Sequence, residues 1–268
     1  MKKYVMTLAI SSFLCTQNVI AMPVEFAIGS EFYKETYREY QDGQRFMQQR
    51  GNLWSLTGSA AYLFNEHHAV KVEGRFSKGK ITYTGAEQEG NYGSVVNKNL
   101  PRKVYDIRAL YQYRWNPFNS ATEMFVEPGI GYRVLRDLSS KVATDDYDRK
   151  NEIVYAHLGL GLNIPFSENY MFSPKISYHQ LLQGKQYSYI DSTILNHQHN
   201  GKGIEVELLL AKKFANNTTL AVGPFYRGWK VFKSDSVTEI DEDTGEQFAL
   251  SEPKNYTHEV GFKIEYRF

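Results

Sequence analysis

The chain has 268 residues, with 31 Lys+Arg against 30 Asp+Glu and a formal charge of +1. So even a balance argues against a nucleic-acid partner, which would call for a concentrated basic face. Aromatics reach 15%, with 20 Tyr and 16 Phe, which excludes a disordered chain. No apolar run of about 18 residues exists, which excludes a polytopic helical membrane protein but not one that crosses with alternating strands.

The first residues read as a targeting segment. Lys2 and Lys3 form a positive start, an apolar stretch runs from Val5 to Leu14, and Val19-Ile20-Ala21 offers small or short residues around a cleavage point. The pattern predicts a signal peptide over 1–21 and one domain over 22–268. Cys15 is the single cysteine and lies inside that segment. Leu14 before it does not suit lipidation, so no lipid attachment and no disulfide is expected. An exported chain without disulfides fits a bacterial cell envelope.

Beyond residue 22, period-two alternation dominates and no helical period competes with it. Ten strands are predicted: 24–37, 51–64, 69–84, 103–115, 124–136, 152–166, 170–186, 203–214, 219–233 and 254–268. In the fourth, Tyr105, Ile107, Ala109, Tyr111, Tyr113 and Trp115 alternate with Asp106, Arg108, Leu110, Gln112 and Arg114. In the fifth, Val126, Pro128, Ile130, Tyr132 and Val134 alternate with Glu127, Gly129, Gly131 and Arg133. In the sixth, Val154, Ala156, Leu158, Leu160 and Leu162 alternate with Tyr155, His157, Gly159, Gly161 and Asn163. The last places Tyr256, His258, Val260, Phe262, Ile264, Tyr266 and Phe268 on one face, with Glu259, Lys263, Glu265 and Arg267 on the other. Pro128, Pro174 and Pro224 fall mid-strand, where bulges or weak pairing are expected.

Connections alternate in length. Those at 65–68, 116–123, 167–169 and 215–218 are short, whereas 38–50, 85–102, 137–151, 187–202 and 234–253 are long and polar. Short turns at one end and long loops at the other, with both termini at the short-turn end, are the pattern of an all-β transmembrane antiparallel up-and-down barrel. A β-sandwich is the rival, since it too hides one face of each sheet. Strand length favours lipid, because globular strands average about 5–6 residues. So do the aromatics at strand ends: Tyr62, Phe64, Tyr113, Trp115, Phe118, Phe166, Tyr170, Phe172, Phe214 and Tyr266 would form an interfacial girdle.

Val260, Phe262, Ile264, Tyr266 and the terminal Phe268 resemble the C-terminal signature of bacterial outer-membrane β-barrel proteins. Glu127-Pro128-Gly129-Ile130-Gly131-Tyr132-Arg133 and Leu220-Ala221-Val222-Gly223-Pro224-Phe225-Tyr226-Arg227 resemble strands of that group. The resemblance implies outer-membrane lipid as surroundings and uptake by the barrel-assembly machinery through the strand ending in Phe268. It is silent on activity.

The same register predicts a lumen lined by both signs. The acids are Glu25, Glu31, Glu73, Asp106, Glu127, Glu205, Glu207, Glu259 and Glu265. The bases are Lys71, Arg75, Arg108, Arg114, Arg133, Lys175, Lys213, Arg227, Lys263 and Arg267. Ten strands enclose little more than side chains can fill, so a salt-bridge network is expected rather than the single-sign rings of a selective pore.

Four clusters carry residue types that could do chemistry. Omptins, ten-stranded outer-membrane proteases, carry Asp pairs and an Asp–His pair at the extracellular rim. The rim here offers Asp42, Asp145, Asp146, Asp148, Asp191, His197, His199 and Asp235, without the omptin motifs. His157 and His179 point inward with Ser177 nearby, as a lipase-type pair would need, though alternate strand positions alone fix no nucleophile geometry. His197 and His199 could share a metal with His67 and His68, but no third ligand is fixed by spacing. Asp241-Glu242-Asp243-Thr244-Gly245-Glu246 resembles a calcium loop without its full spacing and reads as a solvated hairpin tip. No catalytic, metal or cofactor-binding residue is assigned and no enzymatic activity is expected. The expected role is structural or interactive, with a largely filled lumen and loops that could meet an extracellular ligand. A small porin is the first alternative and a barrel enzyme the second.

Overall fold

The computed structural model describes residues 24–86, 91–117, 120–142, 147–190, 193–240 and 247–268. The predicted signal peptide, Cys15, Phe118, Asp145, Asp146, Asp191 and the 241–246 segment lie outside them.

Among the described residues thirteen strands form: β1 (Val24–Gln41), β2 (Gln44–Leu63), β3 (His68–Gly85), β4 (Val95–Trp115), β5 (Glu123–Asp137), β6 (Asp148–Ser167), β7 (Tyr170–Tyr189), β8 (Thr193–Gln198), β9 (Gly201–Lys213), β10 (Thr219–Val231), β11 (Ser236–Ile240), β12 (Gln247–Ser251) and β13 (Lys254–Arg267). Each neighbour pairs antiparallel with the next, and β1 closes the circle on β13 from Ala27↔Arg267 to Tyr40↔Lys254. β8 and β9 share β7 as partner, β8 on its upper part and β9 on its lower, and so make one stave. The barrel has ten staves, and β11–β12 is a separate hairpin outside it. Closure removes the sandwich reading, because an open edge would leave unpaired backbone groups in lipid.

The outer surface carries an apolar belt: Ile28, Phe32, Leu56, Val72, Ile107, Ile130, Leu160, Ile176, Leu208, Val222, Phe262 and Ile264 are all exposed. At the short-turn end the girdle residues Tyr62, Phe64, Tyr113, Phe166, Tyr170, Phe172, Phe214 and Tyr266 are exposed likewise. Residues of this kind have no reason to face water in such numbers, and the belt marks the lipid-facing zone.

At the other end the strands outrun the expectation. β2, β6 and β7 have 20 residues each and β4 has 21, whereas crossing a bilayer takes about 9–11. The predicted loop 38–50 is a continuous hairpin that reverses at Asp42-Gly43, with φ of 51° and 81°. Both residues take the left-handed region that a two-residue primed turn requires, which Asp-Gly supplies at low cost. Much of 85–102, 137–151 and 187–202 is likewise strand. Above the lipid both faces are polar or mixed, so the apolar alternation fades although the backbone ladder continues.

The mid-strand prolines weaken pairing without shifting it. Along β4–β5 the ladder lapses between Leu110↔Gly129 and Tyr113↔Val126, beside Pro128, while the β5–β6 ladder pairs Pro128↔Leu158 unbroken. Pro224 shows the same one-sided lapse, broken toward β9 and continuous toward β13. Pro174 is broken toward β6 and continuous toward β9. A residue without N–H can serve only one neighbour fully.

The last residue belongs to the seam. Phe26 N donates to Phe268 O, and Phe268 N to Phe26 O, both at 2.9 Å, and the two rings stack at 5.9 Å. Replacing Phe268 and Tyr266 with Ser should lower the amount of folded, heat-modifiable barrel recovered from membranes, with secretion unchanged. Quantitative electrophoresis of unboiled membrane fractions measures it, and wild-type recovery would refute the role of the seam.

Candidate functional site

The inward positions form a layered lumen. Nearest the short turns, Glu127 of β5 meets Lys71 of β3 at 3.4 Å and also Lys175 of β7, while Lys263 joins Glu207 at 3.2 Å and Glu265 at 3.0 Å. At mid-height Arg227 of β10 holds Glu31 of β1 with two hydrogen bonds, at 2.5 and 3.0 Å, and reaches Glu205 at 3.2 Å. Arg108 of β4 spans to Glu205 of β9 at 2.7 Å. Arg75 of β3 and Arg133 of β5 both bind Glu259 of β13, at 2.7 and 3.1 Å. Since β4 lies far around the circle from β9, and β5 from β13, these pairs tie opposite walls together.

The predicted inward charges therefore meet, apart from Lys213. It is exposed at the end of β9, where the chain leaves the barrel for a short turn, so strand parity no longer directs it inward. Glu25 and Arg114 pair at the lower rim, at 2.7 and 3.1 Å.

Alternation alone did not find the apolar part of the lumen. Tyr33, Leu53, Ile81, Leu100, Val104, Leu135 and Phe225 form a buried cluster inside the barrel, and Ile153, Tyr155, Leu181, Trp229 and Val231 form another. Gly131 makes room for Tyr155: a Cβ there would lie 2.2 Å from the phenol carbon that bears the hydroxyl. Beyond the first cluster sits a second charged layer, missed because it falls in predicted loops or their margins. Arg102 donates from Nε to Asp137 at 2.6 Å, and also binds Glu35 and Gln49. Following the inward parity of Glu31 and Tyr33 to Glu35 and Glu39 would have exposed this layer.

The two inward histidines come together. His157 Nδ1 lies 3.2 Å from His179 Nδ1, and His179 stacks on Trp229 at 5.3 Å. Tyr155 donates to Asp106 at 2.7 Å and accepts from Arg108 Nε at 3.0 Å. Ser177 is buried with them, and neither Ser177 Oγ nor His157 Nε2 has a hydrogen-bond partner among the described residues. The set lies buried inside the barrel.

At the long-loop rim, His199 Nε2 meets Asp235 Oδ2 at 2.7 Å, and both are exposed. His197 stacks on His199. Asp148 accepts from the Ser140 hydroxyl at 2.7 Å, and Asp42 makes the β1–β2 turn. His67 and His68 belong to the opposite, short-turn end, where His67 Nδ1 contacts Arg114 O at 3.0 Å. The histidine pairs are thus a barrel length apart and cannot share a metal. Among the described residues no group of three potential ligands assembles.

The β11–β12 arm is pinned to this rim. Asn196 Nδ2 donates to Asp235 O at 3.2 Å and Leu250 O at 3.1 Å, while Ser234 N donates to Glu252 O at 3.0 Å. Arg149 of β6 holds both Glu39 and Glu252. Burial and the nearby Glu39 carboxylate push Glu252 up to about 8, although Arg149 opposes them.

No family model matches the chain, and no curated protein matches it in sequence. Its fold is similar to that of the outer membrane protease OmpT from Escherichia coli, with a TM-score of 0.59 at 11% identity over 91% of this chain and 96% of that one. It also matches the outer membrane protein OprG from Pseudomonas aeruginosa, with a TM-score of 0.41 at 14% identity over 90% and 95%. The transport unit of the autotransporter AIDA-I from Escherichia coli gives 0.44 at 10% identity over 94% and 93%.

The raised Glu252 has a definite sign. The folded state holds a proton that the unfolded chain, with an ordinary carboxyl, has released, so arm docking is favoured below about pH 4.5 and weakens as pH rises through 8. Hydrogen exchange of residues 236–240 and 247–251 should speed up between pH 6 and 9 beyond the intrinsic rate, and Glu252→Gln should abolish the extra change. Identical pH profiles for the two proteins would refute it. Closed, antiparallel and belted by exposed apolar side chains, the chain has the fold of the bacterial outer-membrane β-barrels.

Proposed function

We propose that this barrel is a closed membrane anchor that displays its long hairpins and the β11–β12 arm as an interaction surface, without solute conduction or enzymatic chemistry of its own. The observation that carries the reading is the set of ion pairs spanning the lumen, Arg108–Glu205 and Arg133–Glu259 foremost. Beside them the interior keeps cavities of about 300 Å³ near the short turns, about 50 Å³ at mid-barrel and about 20 Å³ above. Each guanidinium is buried and pairs with an acid from another wall, which suits bracing better than passage.

In planar bilayers the purified protein should show little steady conductance. Arg108→Ala and Arg133→Ala each take one cation from a buried carboxylate, while Glu205 keeps Arg227 at 3.2 Å and Glu259 keeps Arg75 at 2.7 Å, so each should cost less than the about 3–5 kcal/mol of a fully orphaned buried charge. Both variants should melt earlier or begin to leak. A stable wild-type channel whose selectivity moves toward cations in the variants would replace this reading with that of a small porin.

One observation favours a second reading, hydrolysis at the rim: the His199–Asp235 pair, exposed and 2.7 Å apart. OmpT, the protease of similar fold, makes peptides the substrate to try. Cleavage of a fluorogenic peptide library by wild type, lost in Asp235→Asn, would establish it. No turnover by either protein leaves the anchor reading in place, and equal turnover by both would remove the His199–Asp235 pair from the chemistry.

A further inference from the structure

Above the apolar belt, on the long-loop side, the outer wall carries a row of cations in direct cross-strand register. Lys78 of β3 pairs with Lys103 of β4, Lys103 with Arg136 of β5, and Arg136 with Lys150 of β6. Like charges placed opposite one another on a sheet repel, and an ordinary surface avoids them. Lys150 is relieved by Glu152 at 3.0 Å. For the other three, no carboxylate forms an ion pair among the described residues, and Lys78 lies instead over the Trp54 ring at 5.0 Å. The next outward residues toward the membrane, Phe76, Tyr105 and Val134, are apolar and pair across the same strands. Neighbouring strands stand about 4.8 Å apart, so the three cations span about 10 Å.

From this we infer that Lys78, Lys103 and Arg136 form a binding site for the phosphate headgroup of a membrane lipid in the leaflet facing the long hairpins. The lipid chains lie along Phe76, Tyr105 and Val134. An anion is the missing partner of the row: it turns three mutual repulsions into attractions, and Arg136 supplies the planar donor pair that grips a phosphate. The apolar strip directly below selects an amphiphile over a soluble anion, since the site offers a charged head position and a hydrocarbon track on the same strands.

The test uses the full-length barrel purified in neutral detergent, with native mass spectrometry as the readout. Phosphatidic acid should be retained at least tenfold more tightly than phosphatidylcholine, and retention should fall as salt is raised. The triple variant Lys78→Gln, Lys103→Gln, Arg136→Gln should lose about tenfold, and Arg136→Gln alone should fall between. Lys212→Gln with Lys213→Gln, cations at the opposite end, should retain lipid as wild type does. Without lipid the triple variant should melt no lower than wild type, because repulsion is relieved, whereas phosphatidic acid should raise only the wild-type melting point. Wild-type retention by the triple variant, equal loss in the Lys212 and Lys213 control, or equal stabilisation by inorganic phosphate would each overturn the site.

Discussion

Everything in this molecule follows from the cost of an unpaired backbone amide in hydrocarbon. Each such group costs several kcal/mol, so a sheet that enters lipid must close on itself. Here the closing pair is β1 with β13, in register from Ala27↔Arg267 to Tyr40↔Lys254. Once the circle is closed, strand parity assigns every side chain to lipid or lumen, and the two faces evolve under opposite rules. The prolines fit within this constraint. Each gives up pairing toward one neighbour and keeps it toward the other, so the ladder thins but the register does not slip.

The lumen solves a problem that the outer wall creates. An interior about the width of two opposed side chains must be filled, and apolar residues alone would make the two faces of each strand indistinguishable to the folding chain. Charges facing inward remove that ambiguity, because turning a strand over would bury Glu31, Arg108 or Glu259 in lipid. Once inward, each needs an opposite partner to offset its lost hydration. Partners on the far wall serve best, since they also brace the barrel: Arg108 reaches Glu205 and Arg133 reaches Glu259. The same packing that gives specificity ties opposite walls of the barrel together.

How much of this could be read from the sequence depended on where lipid stops. Within the belt, apolar and charged residues alternate so strictly, as in Val260 to Phe268, that strand, face and closure were all legible. Most of the mid-lumen network followed from parity alone. Lys213 broke the rule because parity carries no information past a strand's end. Above the belt the contrast between faces disappears. Leu53, Ile81, Leu100 and Leu135 look like lipid-facing residues in composition, yet their parity turns them inward, where they pack as a soluble protein's core does. Arg102 and its partners Glu35 and Asp137 lie in or beside stretches whose outward residues are also polar, so the hairpins that carry them read as loops. The pairing of His199 with Asp235, residues 36 apart on separate segments, is set by tertiary contact alone.

The upper barrel is therefore a different material from the lower one. Below, the wall is held by lipid outside and ion pairs inside. Above, where water replaces lipid, the hairpins carry their own apolar core and a second charged layer. The β11–β12 arm docks on this water-exposed part through Asn196, Ser234 and the Arg149 link between Glu39 and Glu252. The boundary between the two zones is where outward residues change from Phe76 and Tyr105 to Lys78 and Lys103. Repulsion along that row is tolerable only at a height where lipid headgroups can answer it. The position of the cations thus sets the depth of the barrel in the bilayer, and with it how much of each hairpin stands clear of the lipid surface.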